Sequence, residues 1–187
     1  MLEIIKEELR EGEKILWSGS PESFETLDLT NKSHIIKRAV LICSVVLLLC
    51  ALYITYVLSK GIALKPALVI VSILCAGIAS VSYLSDAKKI RRAVYAVTDQ
   101  RLIIAIDRVK SVDYINLKDV KLKKDADGHV SLLCGEQTVG AKPHQWRSLT
   151  VTDPYIDPET GICERFSFYA IPDAEKLKNI LSNYLPL

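Results

Sequence analysis

The chain lacks charge over most of its centre. Between Ala39 and Leu84 there is no Asp, Glu or Arg, and Lys60 and Lys65 are the only charged residues. Long uncharged apolar stretches are typical of segments that cross a membrane, so a wholly soluble protein is not expected. Intrinsic disorder is excluded as well, because 50% of the 187 residues are hydrophobic.

Disulfide and metal frameworks are also missing. The number of cysteines is odd and none forms a Cys-x-x-Cys pair, which favours reduced thiols in a reducing compartment. Histidine and cysteine do not recur at the spacing of a zinc site, so we expect no metal and no cofactor. The residues considered for these roles are Cys43, Cys50, Cys75, Cys134, Cys163, His129 and His144.

Known catalytic motifs are absent too. The chain contains no HExxH, no GxSxG, no P-loop and no GxGxxG after a predicted strand. Cys163 with His144 and either Asp153 or Asp157 could be imagined as a cysteine hydrolase. A nucleophile needs its base within hydrogen-bond reach, however, and Cys163 is predicted to begin a strand with no such partner. We therefore expect a protein that is not an enzyme.

The charge balance argues against a nucleic-acid partner. The formal net charge is +2, from 24 basic and 22 acidic residues. Nucleic-acid-binding domains usually collect a stronger basic bias on one face or helix.

Two apolar runs predict a two-helix transmembrane hairpin over residues 39–84. Ala39–Leu58 contains no charge over 20 residues, and as a helix it would span about 30 Å, the thickness of the hydrocarbon core. Ala67–Leu84 supplies a second run of 18 residues. Between the runs, Gly61 favours a helix end and Pro66 favours a helix start.

Basic flanks set the expected orientation of this hairpin. Seven Lys and Arg residues lie just outside the two runs, against two in the connecting loop. The positive-inside rule then places both termini in the cytoplasm, at the inner (plasma) membrane. The four that follow the second run could also bind anionic lipid headgroups, at about 1 kcal/mol each, although setting the topology is the simpler explanation. These four are Lys88, Lys89, Arg91 and Arg92.

Short alternating runs predict a cytoplasmic domain over residues 88–187. Six candidate strands precede an amphipathic C-terminal helix for which Asp173 is the expected N-cap. This order indicates an α+β fold, a small antiparallel sheet or barrel covered by the helix. The candidate strands are Ala93–Thr98, Arg101–Ile106, Lys110–Asn116, Asp119–Lys123, His129–Cys134 and Glu164–Ile171.

Residues 1–30 are expected to belong to the same domain. Leu2, Ile5 and Leu9 mark a short amphipathic helix, and a strand bearing Trp17 follows it. An exposed edge strand with a Trp invites aggregation, so we expect this strand to pair with the cytoplasmic sheet. The hairpin would then be inserted into the domain.

Three segments on either side of the membrane hairpin form a recognisable set: Gly12–Pro21 (GEKILWSGSP) before it, then Tyr95–Ile104 (YAVTDQRLII) and Ile115–Val120 (INLKDV) after it. Together they resemble the bacterial pleckstrin-homology-like domain proteins. The Tyr-x-x-Thr-Asp-x-Arg block is the most specific piece, and the likeness covers most of the chain. The resemblance implies a seven-strand curved antiparallel sheet or barrel, capped by a C-terminal helix and tethered at the inner membrane face. The hairpin occupies the connection where familiar pleckstrin-homology domains bind phosphoinositides, so no headgroup residues carry over.

The expected function is non-catalytic binding at the cytoplasmic membrane face, to a partner protein or to further copies of the chain. The long loop 135–161 exceeds the usual family pattern and holds the candidate partner contact His144, Trp146 and Arg147. Trp and Arg are frequent in binding hot spots, although a Trp that packs on the domain or dips into the lipid interface fits as well. Binding of anionic lipid headgroups is the alternative function. A more distant one is an accessory subunit of a transport or secretion complex.

Overall fold

Two antiparallel sheets and a set of helices make an α+β fold. The computed structural model describes residues 2–61, 63 and 65–185. The first sheet has the order β1-β2-β3-β4, and the second has the order β5-β6-β8-β7. The strands are β1 Ile15–Gly19, β2 Val94–Thr98, β3 Arg101–Ala105, β4 Val109–Asp113, β5 Lys121–Lys124, β6 Val130–Cys134, β7 Tyr155–Ile156 and β8 Cys163–Phe168.

Seven α-helices accompany the sheets in the described part of the chain. Two are long and lie between β1 and β2 in the chain, and three are single turns between β6 and β7. The helices are α1 Leu2–Glu7, α2 Lys32–Ser59, α3 Pro66–Ile90, α4 Glu136–Val139, α5 Pro143–Trp146, α6 Leu149–Thr152 and α7 Ala174–Leu181.

Both faces of β3 are buried, which explains its unbroken apolar run. Leu102 and Ile104 face the main core between the two sheets. Ile103 faces the opposite side, where Ile5 of α1 covers it, and both side chains have no exposed surface. Side chains alternate across a strand, so a strand covered on both sides carries apolar residues at successive positions, as Leu102, Ile103 and Ile104 do here.

The N-terminal strand pairs with the sheet as expected. β1 runs antiparallel to β2, with Trp17 opposite Val97 and Gly19 opposite Tyr95. The two long helices are therefore an insertion in the chain between two neighbouring strands of one sheet.

The C-terminal helix covers the main core with Leu177 and Leu181, which have no exposed surface. The expected capping by Asp173 is wrong. This residue has left-handed backbone angles, φ 53° and ψ 47°, and its side chain makes no cap hydrogen bond. An N-cap side chain reaches the next amides from extended backbone angles, which Asp173 does not have.

The described residues do not form a closed barrel. The two sheets are separate, and between β4 and β5 the chain makes a 3-10 turn at Tyr114–Asn116 instead of a continuous pairing. Seven strands have four to six residues, and the eighth, β7, has two residues within the long loop.

Among the described residues, only α2 is long and apolar enough to cross a membrane. Only 6% of the most apolar 18-residue stretch of α2 is buried, whereas the core helix of a soluble fold would be mostly buried. The expected second span does not meet the same criterion, because the apolar stretch described in α3 ends at Ile78. The side chains of residues 79–84 lie outside the described part.

Candidate functional site

A buried ion pair holds the N-terminal segment to the sheet. The carboxylate of Glu13 accepts hydrogen bonds from Nε and Nη2 of Arg101, both at 2.9 Å. It also accepts one from the Thr98 hydroxyl at 2.7 Å. Burial opposes ionisation of Glu13, but the bonds from Arg101, the Arg10 amide and Thr98 outweigh it and lower its pKa to about 2.

The residues of the Tyr-x-x-Thr-Asp-x-Arg block therefore have a structural role. Thr98 and Arg101 bind Glu13, while Asp99 accepts a hydrogen bond from the Lys14 amide at 3.0 Å. The Tyr95 hydroxyl donates to the Tyr169 carbonyl at 3.1 Å, so it connects the two sheets. These residues place β1 beside β2 and thus fix where α2 and α3 leave the domain.

The long loop folds against the domain. It starts at Gly135, where φ is +87° and a Cβ would lie 2.2 Å from the carbonyl carbon of Glu164. Glycine alone fits both this backbone angle and this approach. The three single-turn helices α4, α5 and α6 follow, and α6 contacts both β8 and α3.

Arg147 lies at the centre of a buried cluster that joins this loop to the segment before α2. Its guanidinium donates to the carbonyl of Glu25 at 2.7 Å, to the carboxylate of Asp28 and to the hydroxyl of Tyr169. It also lies 4.6 Å from the ring centroid of Phe24. Planar guanidinium groups suit such a site because they combine several donors with an aromatic-stacking face.

The expected partner contact is corrected by this geometry. Trp146 is 2% exposed and Arg147 is fully buried, so neither offers a surface to another protein. Of the alternatives weighed for Trp146, packing on its own domain is the one observed, with Phe24, Leu133 and Tyr169 in the same cluster. His144 is partly exposed and stacks on His34 of α2, with ring centroids 3.9 Å apart.

The four basic residues after the apolar segment divide into two pairs. Lys89 makes a 2.9 Å salt bridge to Asp107, and Arg91 donates to the Thr26 hydroxyl at 2.9 Å. Lys88 and Arg92 are exposed. Their side chains have no salt-bridge partner in the part of the chain that the structure describes.

The residues of the cysteine hydrolase imagined from the sequence do not form a catalytic site. Burial raises the pKa of the Cys163 thiol, so the nucleophilic thiolate is disfavoured. That thiol faces the carbonyl of Arg165 at 3.5 Å, whereas the His144 ring stacks on His34. Over the described residues, no group of three or more His, Cys, Asp or Glu is placed to hold a metal ion.

A cavity opens where the loop meets the two long helices. Its volume is about 350 Å³. Its walls come from α2, α3 and the α5–α6 segment. The side chains that matter for its chemistry are His34, Arg38, Asp86, His144, Ser148 and Thr150. We call it the junction cavity.

A second, largely apolar groove lies between β1 and the C-terminal helix. Leu16 of β1 and Ile180 and Tyr184 at the C-terminus line this open groove. The ring of Tyr184 stacks on Tyr114, with centroids 5.2 Å apart. The neighbouring Ile115 is 90% exposed, which is unusual for a large aliphatic side chain outside a membrane segment.

Sequence reasoning missed Glu13, Asp28 and Tyr169 as members of the buried clusters. Glu13 stood within the recognised Gly12–Pro21 segment, so its closeness to Arg101 could have been proposed once β1 was paired with β2. No signal in the sequence connects Arg147 to Asp28, because 119 positions separate them.

Comparisons with known proteins identify no relative of this chain. No family model, curated protein or solved structure matches the chain.

Proposed function

We propose that the protein is a membrane-anchored, non-catalytic binding platform at the cytoplasmic membrane face. In this proposal α2 and α3 form a two-span hairpin inserted into a pleckstrin-homology-like domain. The domain contacts a partner protein, or another copy of the chain, through its exposed apolar surface.

The pairing of β1 with β2 supports two spans. These strands flank the two long helices and are hydrogen-bonded neighbours in one sheet. A single crossing by α2 would leave them on opposite sides of the bilayer, where they could not pair. If α2 crosses, α3 must return, and the 25-residue length of α3 is sufficient for the 30 Å core.

Charge supports the cytoplasmic side for the domain. Lys32, Lys37 and Arg38 lie in the first turns of α2, Lys88 lies in the last turn of α3, and Arg92 lies just after α3. All five are exposed, while only Lys60 and Lys65 lie in the opposite loop. Basic residues are retained on the cytoplasmic side during insertion.

The order of elements supports the pleckstrin-homology-like domain. Two antiparallel sheets contain seven strands of four to six residues, with an amphipathic helix over the core between them. The residues that carry the resemblance, Tyr95, Thr98, Asp99 and Arg101, all make connections that hold this arrangement together. Fold likeness does not give a binding partner, which must be argued from a surface.

The exposed surface around Ile115 carries the proposal of a protein contact. An aliphatic side chain that is 90% exposed contributes nothing to the core. Ile115 directly follows Tyr114 in the chain, the Tyr114 ring stacks on Tyr184, and Tyr184 lines the groove with Leu16. Contiguous apolar surface beside a polar rim is typical of protein interaction sites.

The test compares Ile115→Asp with the unchanged chain, both in the full-length protein in native membranes. Chemical cross-linking and counting of subunits per complex should show a complex in the unchanged chain that Ile115→Asp reduces at least about tenfold, as for loss of an interface anchor. Asn116→Asp, which adds the same charge to the same turn, is the matched control and should leave the complex intact. A complex that survives Ile115→Asp, or no complex with the unchanged chain, would contradict the proposal.

Anionic-lipid binding is a second candidate, favoured by the exposed Lys88 and Arg92. The full chain in nanodiscs with anionic lipid should melt at a higher temperature than in neutral ones, with the difference lost in high salt. The double variant Lys88→Gln/Arg92→Gln should lose most of that difference. The control variant Lys121→Gln/Lys124→Gln removes the same charge from β5 and should retain it. Equal melting in both lipids would reject this candidate.

A further inference from the structure

The junction cavity lies at the depth of lipid headgroups if α2 crosses the membrane. Arg38 immediately precedes Ala39, the first residue of the uncharged run. Asp86 stands two residues after Leu84, where the second apolar run ends. Both residues line the same cavity. The cavity therefore opens at the level of the lipid phosphates.

The polar groups of the cavity are suited to a phosphodiester. Arg38 supplies a guanidinium, which binds phosphate oxygens through paired donors. Ser148 and Thr150 supply hydroxyls whose oxygens are 2.8 Å apart. The stacked rings of His34 and His144 form one wall of the cavity, between α2 and the loop.

Asp86 makes the cavity different from a simple anion site. A carboxylate near the C-terminal end of a helix opposes the helix dipole, so its position does not serve the stability of α3. Lys89, one turn further on, makes its salt bridge to Asp107, while the nearby Asp86 contributes a smaller part to raising the pKa of the Lys89 ammonium. Neither Asp86 nor Arg38 makes a salt bridge within the described part of the chain, so the cavity offers one acid and one base to a ligand.

We propose that the junction cavity binds the headgroup of an aminophospholipid from the bilayer. The phosphodiester lies against Arg38 and the hydroxyls of Ser148 and Thr150, and the primary ammonium lies against Asp86. Phosphatidylethanolamine carries this pair of charges. Phosphatidylglycerol lacks the ammonium, and phosphatidylserine adds a carboxylate that Asp86 repels.

This inference rests on the membrane anchoring in the proposed function and goes beyond its protein contact. The lipid site uses α2, α3 and the loop, whereas the protein contact uses the surface at Ile115. The two tests therefore fail independently of each other.

The test measures which lipid the full chain retains from nanodiscs of equal phosphatidylethanolamine and phosphatidylglycerol. Native mass spectrometry of the released protein should show phosphatidylethanolamine enriched about fivefold, relative to phosphatidylglycerol, over its share in the bilayer. This preference is the one expected from the free energy of a single partly exposed ion pair. Asp86→Asn should return the ratio to that of the bulk. Arg38→Gln should lower retention of both lipids together.

Asp119→Asn is the matched control, because it removes an exposed acid of the same domain that lies outside the cavity and makes no salt bridge in the described part of the chain. It should keep the fivefold enrichment. Circular dichroism of each variant checks that the fold is unchanged. A bulk ratio with the unchanged chain, or an enrichment that survives Asp86→Asn, would overturn the proposal.

Discussion

The Glu13 carboxylate is bound at both of its oxygens by Arg101, although 88 positions and both long helices separate the two residues. The Glu13 side chain has no exposed surface, and that of Arg101 is 11% exposed. This contact joins the segment before β1 to the start of β3, at the end of the β1–β2 pair that lies away from α2 and α3.

Removing one member of this pair should destabilise the domain strongly. Glu13→Gln leaves the Arg101 guanidinium without its counter-ion, and we expect a loss of about 3 to 5 kcal/mol in the free energy of unfolding. Chemical unfolding of the full chain in detergent, followed by near-ultraviolet circular dichroism, measures this loss. The double variant Glu13→Gln/Arg101→Met should lose less than the sum of the single changes, because it buries no unpaired charge. Additive losses would show that the pair is not coupled.

The same pair predicts how stability depends on pH. The pKa of Glu13 falls from 4.5 in the unfolded chain to about 2 in the folded one. Its contribution is therefore complete above pH 4.5 and is lost as the pH falls from 4.5 towards 2. At 1.36 kcal/mol for each pH unit, the loss reaches about 3 kcal/mol. Unfolding curves at pH 5 and pH 2.5 should differ by less in Glu13→Gln, and an equal difference would contradict the assignment.

Arg147 should hold the segment before α2 on the domain. Arg147→Lys keeps the charge but loses the planar group that reaches Glu25, Asp28 and Tyr169, so we expect no rescue by this conservative change. Hydrogen exchange of the backbone amides in residues 22–31 should become at least about tenfold faster. Arg108→Lys, at an exposed position, should leave the exchange unchanged. Slow exchange in Arg147→Lys would show that other contacts hold the segment.

The start of the long loop should tolerate no side chain. Gly135→Ala combines an unfavourable positive φ with a Cβ 2.2 Å from the Glu164 backbone, and we expect a loss of about 3 kcal/mol or more. Gly161→Ala is the control, because φ is +68° there and nothing lies within 4 Å of the added atom. Gly161→Ala should lower the free energy of unfolding by about 1 kcal/mol, which is the cost of the positive φ alone. Equal losses in the two variants would exclude the steric effect.

The sequence predicted the parts of the fold that depend on local pattern. The β2–β3 and β5–β6 hairpins appear where alternating runs flank a turn, and the pairing of β1 followed from the need to cover Trp17. The division into two sheets was not predicted, because it depends on pairings such as β6 with β8 that join distant segments. The helices of the long loop were missed since four residues leave no measurable period.

The candidate site was predicted less well than the fold. Trp146 and Arg147 were predicted to contact a partner protein, whereas they are buried against Phe24, Asp28 and Tyr169, which lie far away in the chain. Residue type alone cannot separate a buried Arg from an exposed binding Arg. The junction cavity requires three elements to meet, which no sequence pattern shows.

Two spans with both termini in the cytoplasm are the central claim, and the accessibility of two introduced cysteines, each in its own variant, tests it most directly. Lys60→Cys lies in the loop between α2 and α3, and Lys176→Cys lies on the exposed face of α7. In bacterial spheroplasts, a membrane-impermeant maleimide should label Lys60→Cys alone, and both should react after the membrane is dissolved. The unsubstituted chain gives the background from its five own cysteines. Labelling of Lys176→Cys from outside, or protection of Lys60→Cys, would contradict the account.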